Sequence, residues 1–240
     1  MAEIKKAVIL AAGRGTRMRE LTSSIPKPMI EVRGEPILRH IVDGLSAAGV
    51  REVLIVVGYR ADVVKDYFGD GRELGVAISY AAQVVQDGTG RVVELAREFV
   101  AKKPFILHYG DILVDPLNYQ RLVDLPDEIE AIVTVKAGED CSKGGAVFVD
   151  EQMKVTDVQE KAQRSKLTSR WYNAGIYVFR PAIFKYTARL QSSARGEYEL
   201  TDAIREMAQS ANVVAFELQG SWADVRDPEV LAALNAESSD

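Results

Sequence analysis

The chain has 240 residues, 47% hydrophobic and 27% charged, which is long enough for a full α/β domain with a sizeable core. Its net charge of −5 argues against a duplex-DNA or RNA binder, and local basic clusters in an acidic protein suit a small anionic ligand better. A single cysteine, Cys141, excludes an intrachain disulfide and a Cys-built zinc site; no apolar run has the length of a secretory h-region or a membrane span, so a cytoplasmic location is expected.

Residues 6–10, Lys6 followed by the apolar run Ala7-Val8-Ile9-Leu10, read as a buried strand. Pro36 opens a helix over 37–48, with Ile37, Leu38, Ile41, Val42 and Leu45 at helical spacing, and Gly49 ends it. A strand at 53–57, a helix at 61–68, a strand at 76–80, a helix at 91–100 and a strand at 105–109 follow, the last running into Gly110-Asp111. This alternation predicts a mostly parallel sheet with covering helices. The second half changes character. Strands at 131–135, 146–149 and 155–159 are separated by turns, then come a strand at 173–179 and a short helix at 181–187. An amphipathic segment at 199–209, a strand at 213–217 and a closing helix at 228–235 complete the pattern, and the polar residues 237–240 are expected to fray. The shift suggests a nucleotide-binding half merging into a substrate-binding half.

The chemistry concentrates first at Ala11-Ala12-Gly13-Arg14-Gly15-Thr16-Arg17, directly after the first strand, and at Pro26-Lys27-Pro28. Small residues let main-chain N–H groups approach an anion, and Arg17 and Lys27 add full charge, a combination suited to a nucleoside polyphosphate or a sugar phosphate. The loop is not a Rossmann fingerprint, because Met18 stands where the third glycine belongs and Val57-Gly58-Tyr59 lacks the ribose-binding acid. A Walker Gly-Lys-Ser/Thr is absent as well. His40 and His108 have no third ligand at zinc spacing, and there is no Gly-x-Ser-x-Gly elbow.

Leu10-Ala11-Ala12-Gly13-Arg14-Gly15-Thr16-Arg17 with Pro26-Lys27-Pro28 resembles the signature of the sugar-1-phosphate nucleotidylyltransferases, or NDP-sugar pyrophosphorylases. The resemblance continues in order through Gln83, Gly110-Asp111, Glu160-Lys161, Asn173-Ala174-Gly175 and Trp222-x-Asp224. It implies a single-domain, Rossmann-like nucleotidyltransferase fold over 1–236, with a mostly parallel central sheet flanked by helices. The nucleotide-binding half would run to about residue 115 and the sugar-binding half from about 116 to 236. It further implies a catalytic domain alone, since no left-handed β-helix repeat follows Asn235. The implied reaction is Mg²⁺-dependent transfer of UMP or dTMP from UTP or dTTP to a hexose 1-phosphate.

On that resemblance Leu10, Ala12, Gly13, Arg14, Gly15 and Thr16 bind the nucleotide, Arg17 favours the departing pyrophosphate, and Lys27 sits over the α-phosphate. Asp111 and Asp224 come from separate loops and suit Mg²⁺, which keeps waters and takes few protein ligands. Gln83 would read the base edge, with Gly88 and Thr89 beside it. Gly145, Glu160, Lys161 and Asn173 would bind the sugar phosphate. Four positions depart from the family pattern: Arg91, Gly144 (implying a roomier sugar pocket), Ala162 and Arg226. Muramic acid, mannose and choline phosphates stay open as acceptors, as do a catalytically silent regulatory subunit and a homo-oligomer; a nucleotide-dependent oxidoreductase is disfavoured by the missing glycine and acid.

Overall fold

The computed structural model describes residues 1–160 and 169–236; Lys161, Ala162 and the expected tail lie outside the described residues. The expected class is borne out: the chain is α/β, with a central, mostly parallel sheet flanked by helices. It divides into two compact units built from interleaved segments. Unit I comprises Lys5–Val84, His108–Val123 and the chain from Gln219 onward; unit II comprises Met1–Ile4, Val85–Leu107 and Asp124–Leu218.

In unit I the strand Glu52–Val57 pairs in parallel with Lys6–Ala11 on one side and Ala77–Ala82 on the other. The register aligns Ala11 with Val57 and Val57 with Ala82, so three loops leave from one carboxyl edge. That edge is where open α/β sheets collect ligands. The helix Ile37–Ala47 starts one residue after Pro36 and buries Ile37, Leu38, Ile41, Val42 and Leu45, the face read from spacing. Fully burying each such side chain contributes roughly 1.5–3 kcal/mol. Gly44 lies on the same buried face, and a Cβ there would sit 2.5 Å from the Tyr119 ring. A helix-interior glycine costs about 0.5–1 kcal/mol relative to alanine; here it makes room for the buried Tyr119 of the helix Leu117–Leu122. The short strand Ile112–Val114 pairs antiparallel with Trp222–Asp224.

Unit II holds the antiparallel pairing. Ala131–Ala137 lies between Trp171–Phe179 (antiparallel) and Val213–Glu217 (parallel), and Gly145–Val149 pairs with both Val155–Glu160 and Trp171–Phe179. All nine residues of Trp171–Phe179 are buried, as a strand covered on both faces requires. A register shift between Val133 and Val135 is stabilised by the buried Thr134 hydroxyl, which donates to the Ile176 carbonyl (2.6 Å) and accepts from the Ile176 N–H (3.2 Å). The helix expected over 91–100 is two helices, Thr89–Glu94 and Arg97–Val100. Leu95 and Ala96 close tight three-residue turns to Val92 and Val93 between them, which breaks the α-helical register. Among the described residues no helix is long and apolar enough to cross a membrane.

Candidate active site

Most of the expected phosphate and metal residues fall in unit I. The strand Lys6–Ala11 is followed by buried Ala12, whose carbonyl accepts from the Tyr59 N–H (3.4 Å). Gly13, Arg14, Thr16 and Arg17 are exposed. Gly15 adopts the left-handed conformation (φ 68°) that opens the 3₁₀ turn Thr16–Thr22, and its carbonyl accepts from the Met18 N–H (2.9 Å) and the Thr22 hydroxyl (3.1 Å). Met18 is buried and anchors the turn at the position where a Rossmann loop would carry glycine. The Arg14 guanidinium lies 5.0 Å from the centre of the Tyr59 ring, a cation–π contact that holds it at the rim.

Lys27 starts the 3₁₀ turn Lys27–Met29, held rigidly between Pro26 and buried Pro28. A Cβ on Gly15 would approach Lys27 Cβ to 2.6 Å, so only glycine lets the loop lie against the lysine stem. Lys27 Nζ donates to Asp111 Oδ2 in a close ion pair. Asp111 reaches that position because Gly110 packs on the first strand: its N–H donates to the Leu10 carbonyl (3.0 Å), and a Cβ would lie 2.8 Å from the same oxygen.

Asp224 stands opposite Ile112 in the ladder, and the next N–H, Val225, donates to the Asp111 carbonyl (2.9 Å). The Asp224 carboxyl is pushed up to about 6, first by burial and then by the Asp111 charge, against the opposing pull of Lys27, Arg226 and Arg17. Five charged groups thus share one electrostatic neighbourhood, two carboxylates among three cations. Among the described residues no group of three or more His, Cys, Asp and Glu side chains could hold a metal. The Asp111–Asp224 pair alone fits a hard divalent cation such as Mg²⁺, which keeps several waters and takes one or two carboxylates plus substrate oxygens. The mutual repulsion of the two carboxylates is the electrostatic demand such a cation meets.

Unit II brings three of the expected sugar residues, Gly145, Glu160 and Asn173, together on adjacent strands, while Lys161 lies outside the described residues. Gly145 is in register with Glu160, and a Cβ on Gly145 would lie 3.1 Å from Asn173 Cβ. Glu160 faces Arg195 at 4.0 Å, and Arg195 also meets Glu199 at 2.5 Å and Glu197 at 3.8 Å. Sequence reading missed Arg195 as the cation at the centre of these carboxylates; its spacing of four from Glu199 was the available signal. It also missed Tyr172, whose hydroxyl occupies the place a side chain on Gly144 would take. Gly88 (φ 113°) and Thr89 secure their loop to the segment at 198–200. A Cβ on Gly88 would lie 2.5 Å from the Tyr198 backbone, the Tyr198 N–H donates to the Asp87 carbonyl (2.7 Å), and Thr89 Oγ1 accepts from the Leu200 N–H (3.3 Å). Arg91 stacks 3.8 Å from the Tyr198 ring centre and pairs with Asp87 at 3.1 Å. In unit I, Gln83 follows the strand Ala77–Ala82, its N–H bonded to the Val57 carbonyl (2.8 Å).

The family model described as nucleotidyl transferase matches residues 6–239. The chain belongs to that family. Among its curated nucleotidyl transferase relatives, the bifunctional protein GlmU of Methanococcus maripaludis strain S2 is 35% identical over 237 residues, covering 95% of this chain and 53% of that protein. The chain thus spans about half the length of the GlmU proteins it matches. The UTP–glucose-1-phosphate uridylyltransferase AglF of Haloferax volcanii is 33% identical over 232 residues, covering 93% of this chain and 92% of AglF. A crystal structure of UDP-glucose pyrophosphorylase with UDP-glucose superposes with a TM-score of 0.90 at 24% identity, covering 98% of each chain, and so shares the fold. In this nucleotidyl transferase chain, the residues of the family-like signature at 10–17 and 26–28 are those that the carboxyl edge of unit I presents.

Proposed function

We propose that the chain catalyses transfer of UMP or dTMP from UTP or dTTP to a hexose 1-phosphate, releasing pyrophosphate, with Mg²⁺ as cofactor. The observation that carries this reading is the Lys27–Asp111 pair set beside Asp224 and Arg17 at the end of the phosphate loop. AglF, alike over nearly its whole length and named a UTP–glucose-1-phosphate uridylyltransferase, supports the choice of reaction.

An oxygen of the sugar phosphate attacks the α-phosphorus, a new P–O bond forms, and the bond to the β-phosphate breaks opposite it. Both reactants are anions, so the chain's task is to hold them in line and offset their repulsion. The 13–16 backbone and Arg17 hold the β- and γ-phosphates, and Lys27 supplies a point charge at the α-phosphate. Asp111 and Asp224 would hold Mg²⁺, which would supply further charge neutralisation at the phosphate oxygens. Gln83 reads the base, while Glu160, Asn173, Gly145 and Lys161 take the sugar phosphate. In the single catalytic domain proposed for 1–236, residues up to about 115 handle the nucleotide and later residues the sugar. Asp224 returns to the nucleotide side through its ladder with Ile112–Val114. We assign the reaction to the cytoplasm.

The test is pyrophosphate release across the four NTPs and dTTP against a panel of sugar 1-phosphates, with and without Mg²⁺. Metal-dependent release with UTP or dTTP and a hexose 1-phosphate is expected. Absence of release with every pair would reject the enzyme reading.

A further inference from the structure

Arg226 is the one charged residue in this neighbourhood that the proposed reaction leaves without a task. Its N–H donates to the Asp224 carbonyl (2.8 Å), closing a three-residue turn around fully buried Val225. The turn folds the arginine back beside the carboxylate. Nη1 lies 3.8 Å from Asp224 Oδ2, and Nε lies 3.8 Å from Asp227 Oδ2. Both separations exceed hydrogen-bond reach. Nη1 is nonetheless buried, and it has no hydrogen-bond partner among the described residues. A buried cationic donor without an acceptor is costly to maintain, so its persistence beside Asp224 marks a place where an acceptor arrives or a charge is balanced.

The matching arrangement on the other carboxylate decides between these. Asp111 already has a resident cation in Lys27. With Arg226 beside Asp224, each member of the carboxylate pair carries its own positive neighbour. We infer that Arg226 is a positioning residue that serves as the resident counter-cation of Asp224: it suppresses divalent-cation binding in the absence of nucleotide, and it turns Nη1 to a phosphate oxygen when nucleotide arrives. Metal and nucleotide then bind as a unit, because the phosphates draw both cations off the carboxylates. This rests on the reading of Asp111 and Asp224 as the divalent-cation pair.

The experiment is Mn²⁺ titration followed by electron paramagnetic resonance, with and without a non-cleavable α,β-methylene UTP. The proteins are wild type, Arg226→Gln, Arg226→Lys and Asp224→Asn, each checked for folding by thermal unfolding. Without nucleotide, Arg226→Gln is expected to bind Mn²⁺ at least tenfold more tightly than wild type, and Arg226→Lys to stay within threefold of wild type. With nucleotide, the advantage of Arg226→Gln is lost. Unchanged or weaker nucleotide-free binding by Arg226→Gln overturns the proposal. If that variant does not fold, Arg226→Met keeps the packed stem and carries the same expectation and the same refutation. Failure of the underlying reading looks different: Asp224→Asn would then bind Mn²⁺ as wild type does, with nucleotide and without.

Discussion

The main-chain N–H of Val225 donates to the carbonyl of Asp111 at 2.9 Å, tying together two segments more than a hundred residues apart. With Asp224 set opposite Ile112 in the adjoining ladder, the two carboxylates are neighbours by backbone register. Side-chain changes at either position should therefore leave the scaffold in place.

Asp111→Asn is expected to lower turnover by roughly a hundredfold or more, since it removes the anionic partner of Lys27 and, on the proposed reaction, one of the two carboxylates that would hold the metal. Pyrophosphate release and thermal unfolding on the same preparation check it. Activity within a few-fold of wild type would remove Asp111 from the reaction.

Asp224→Asn should raise the stability of the metal-free protein. The Asp224 carboxyl titrates at about 6 in the fold against 3.8 as its ordinary value. Between those values the folded state holds the extra proton, so stability falls as pH rises, and the full penalty is present above about pH 6. At pH 7 the variant is expected to gain up to about 3 kcal/mol, vanishing below pH 4. Urea unfolding across pH 4–7 measures it.

Two glycines of the proposed phosphate loop should separate function from folding. Nothing lies within 4 Å of a Cβ placed on Gly13, so Gly13→Ala should change stability by less than about 0.5 kcal/mol while weakening nucleotide binding. Gly15→Ala meets φ 68° and the Lys27 stem at 2.6 Å. It should cost about 1–3 kcal/mol and displace Lys27. Isothermal titration with UTP beside urea unfolding distinguishes them; equal stability losses would contradict the geometry.

Gly88→Ala has two obstacles, φ 113° and the Tyr198 backbone 2.5 Å from the added carbon. A loss of about 2–4 kcal/mol is expected. A neutral result in urea unfolding would mean that the Asp87–Gly90 loop is not clamped to Tyr198 as described.

The sequence alone locates the elements whose pattern is local. The strands at 105–109 and 213–217 and the helix at 61–68 match their observed limits residue for residue, because short apolar runs such as Phe105-Ile106-Leu107 and Val213-Val214-Ala215-Phe216, and helical spacing, reflect burial within one element. The pairing of Ile112–Val114 with Trp222–Asp224 is invisible at that level. Each strand is three residues long, too short to show a period, and its partner is remote in sequence. The juxtaposition of Asp111 and Asp224 was consequently legible only through family resemblance. Tyr172 filling the space beside Gly144, and Tyr198 under Arg91, are contacts between distant segments that no spacing rule reports.

His108 supplies a pH dependence of opposite sign to that of Asp224. It is fully buried, with Nδ1 at 2.7 Å from the Tyr109 carbonyl and Nε2 at 2.9 Å from the Tyr119 hydroxyl. A carbonyl only accepts, so Nδ1 carries the proton, and Nε2 accepts from Tyr119. Burial pushes the imidazole down to about 4 from 6.5. Between those values the unfolded chain binds the extra proton, so stability falls as pH drops from 6.5 to 4, by up to about 3 kcal/mol in all. Over most of that window Asp224 acts the other way, and the wild-type profile from these two groups should be shallow. Replacing either should expose the other: Asp224→Asn steepens the acid loss, and His108→Gln leaves a protein whose stability declines from pH 4 to 6. Parallel profiles for the two variants in urea unfolding would contradict the opposed signs.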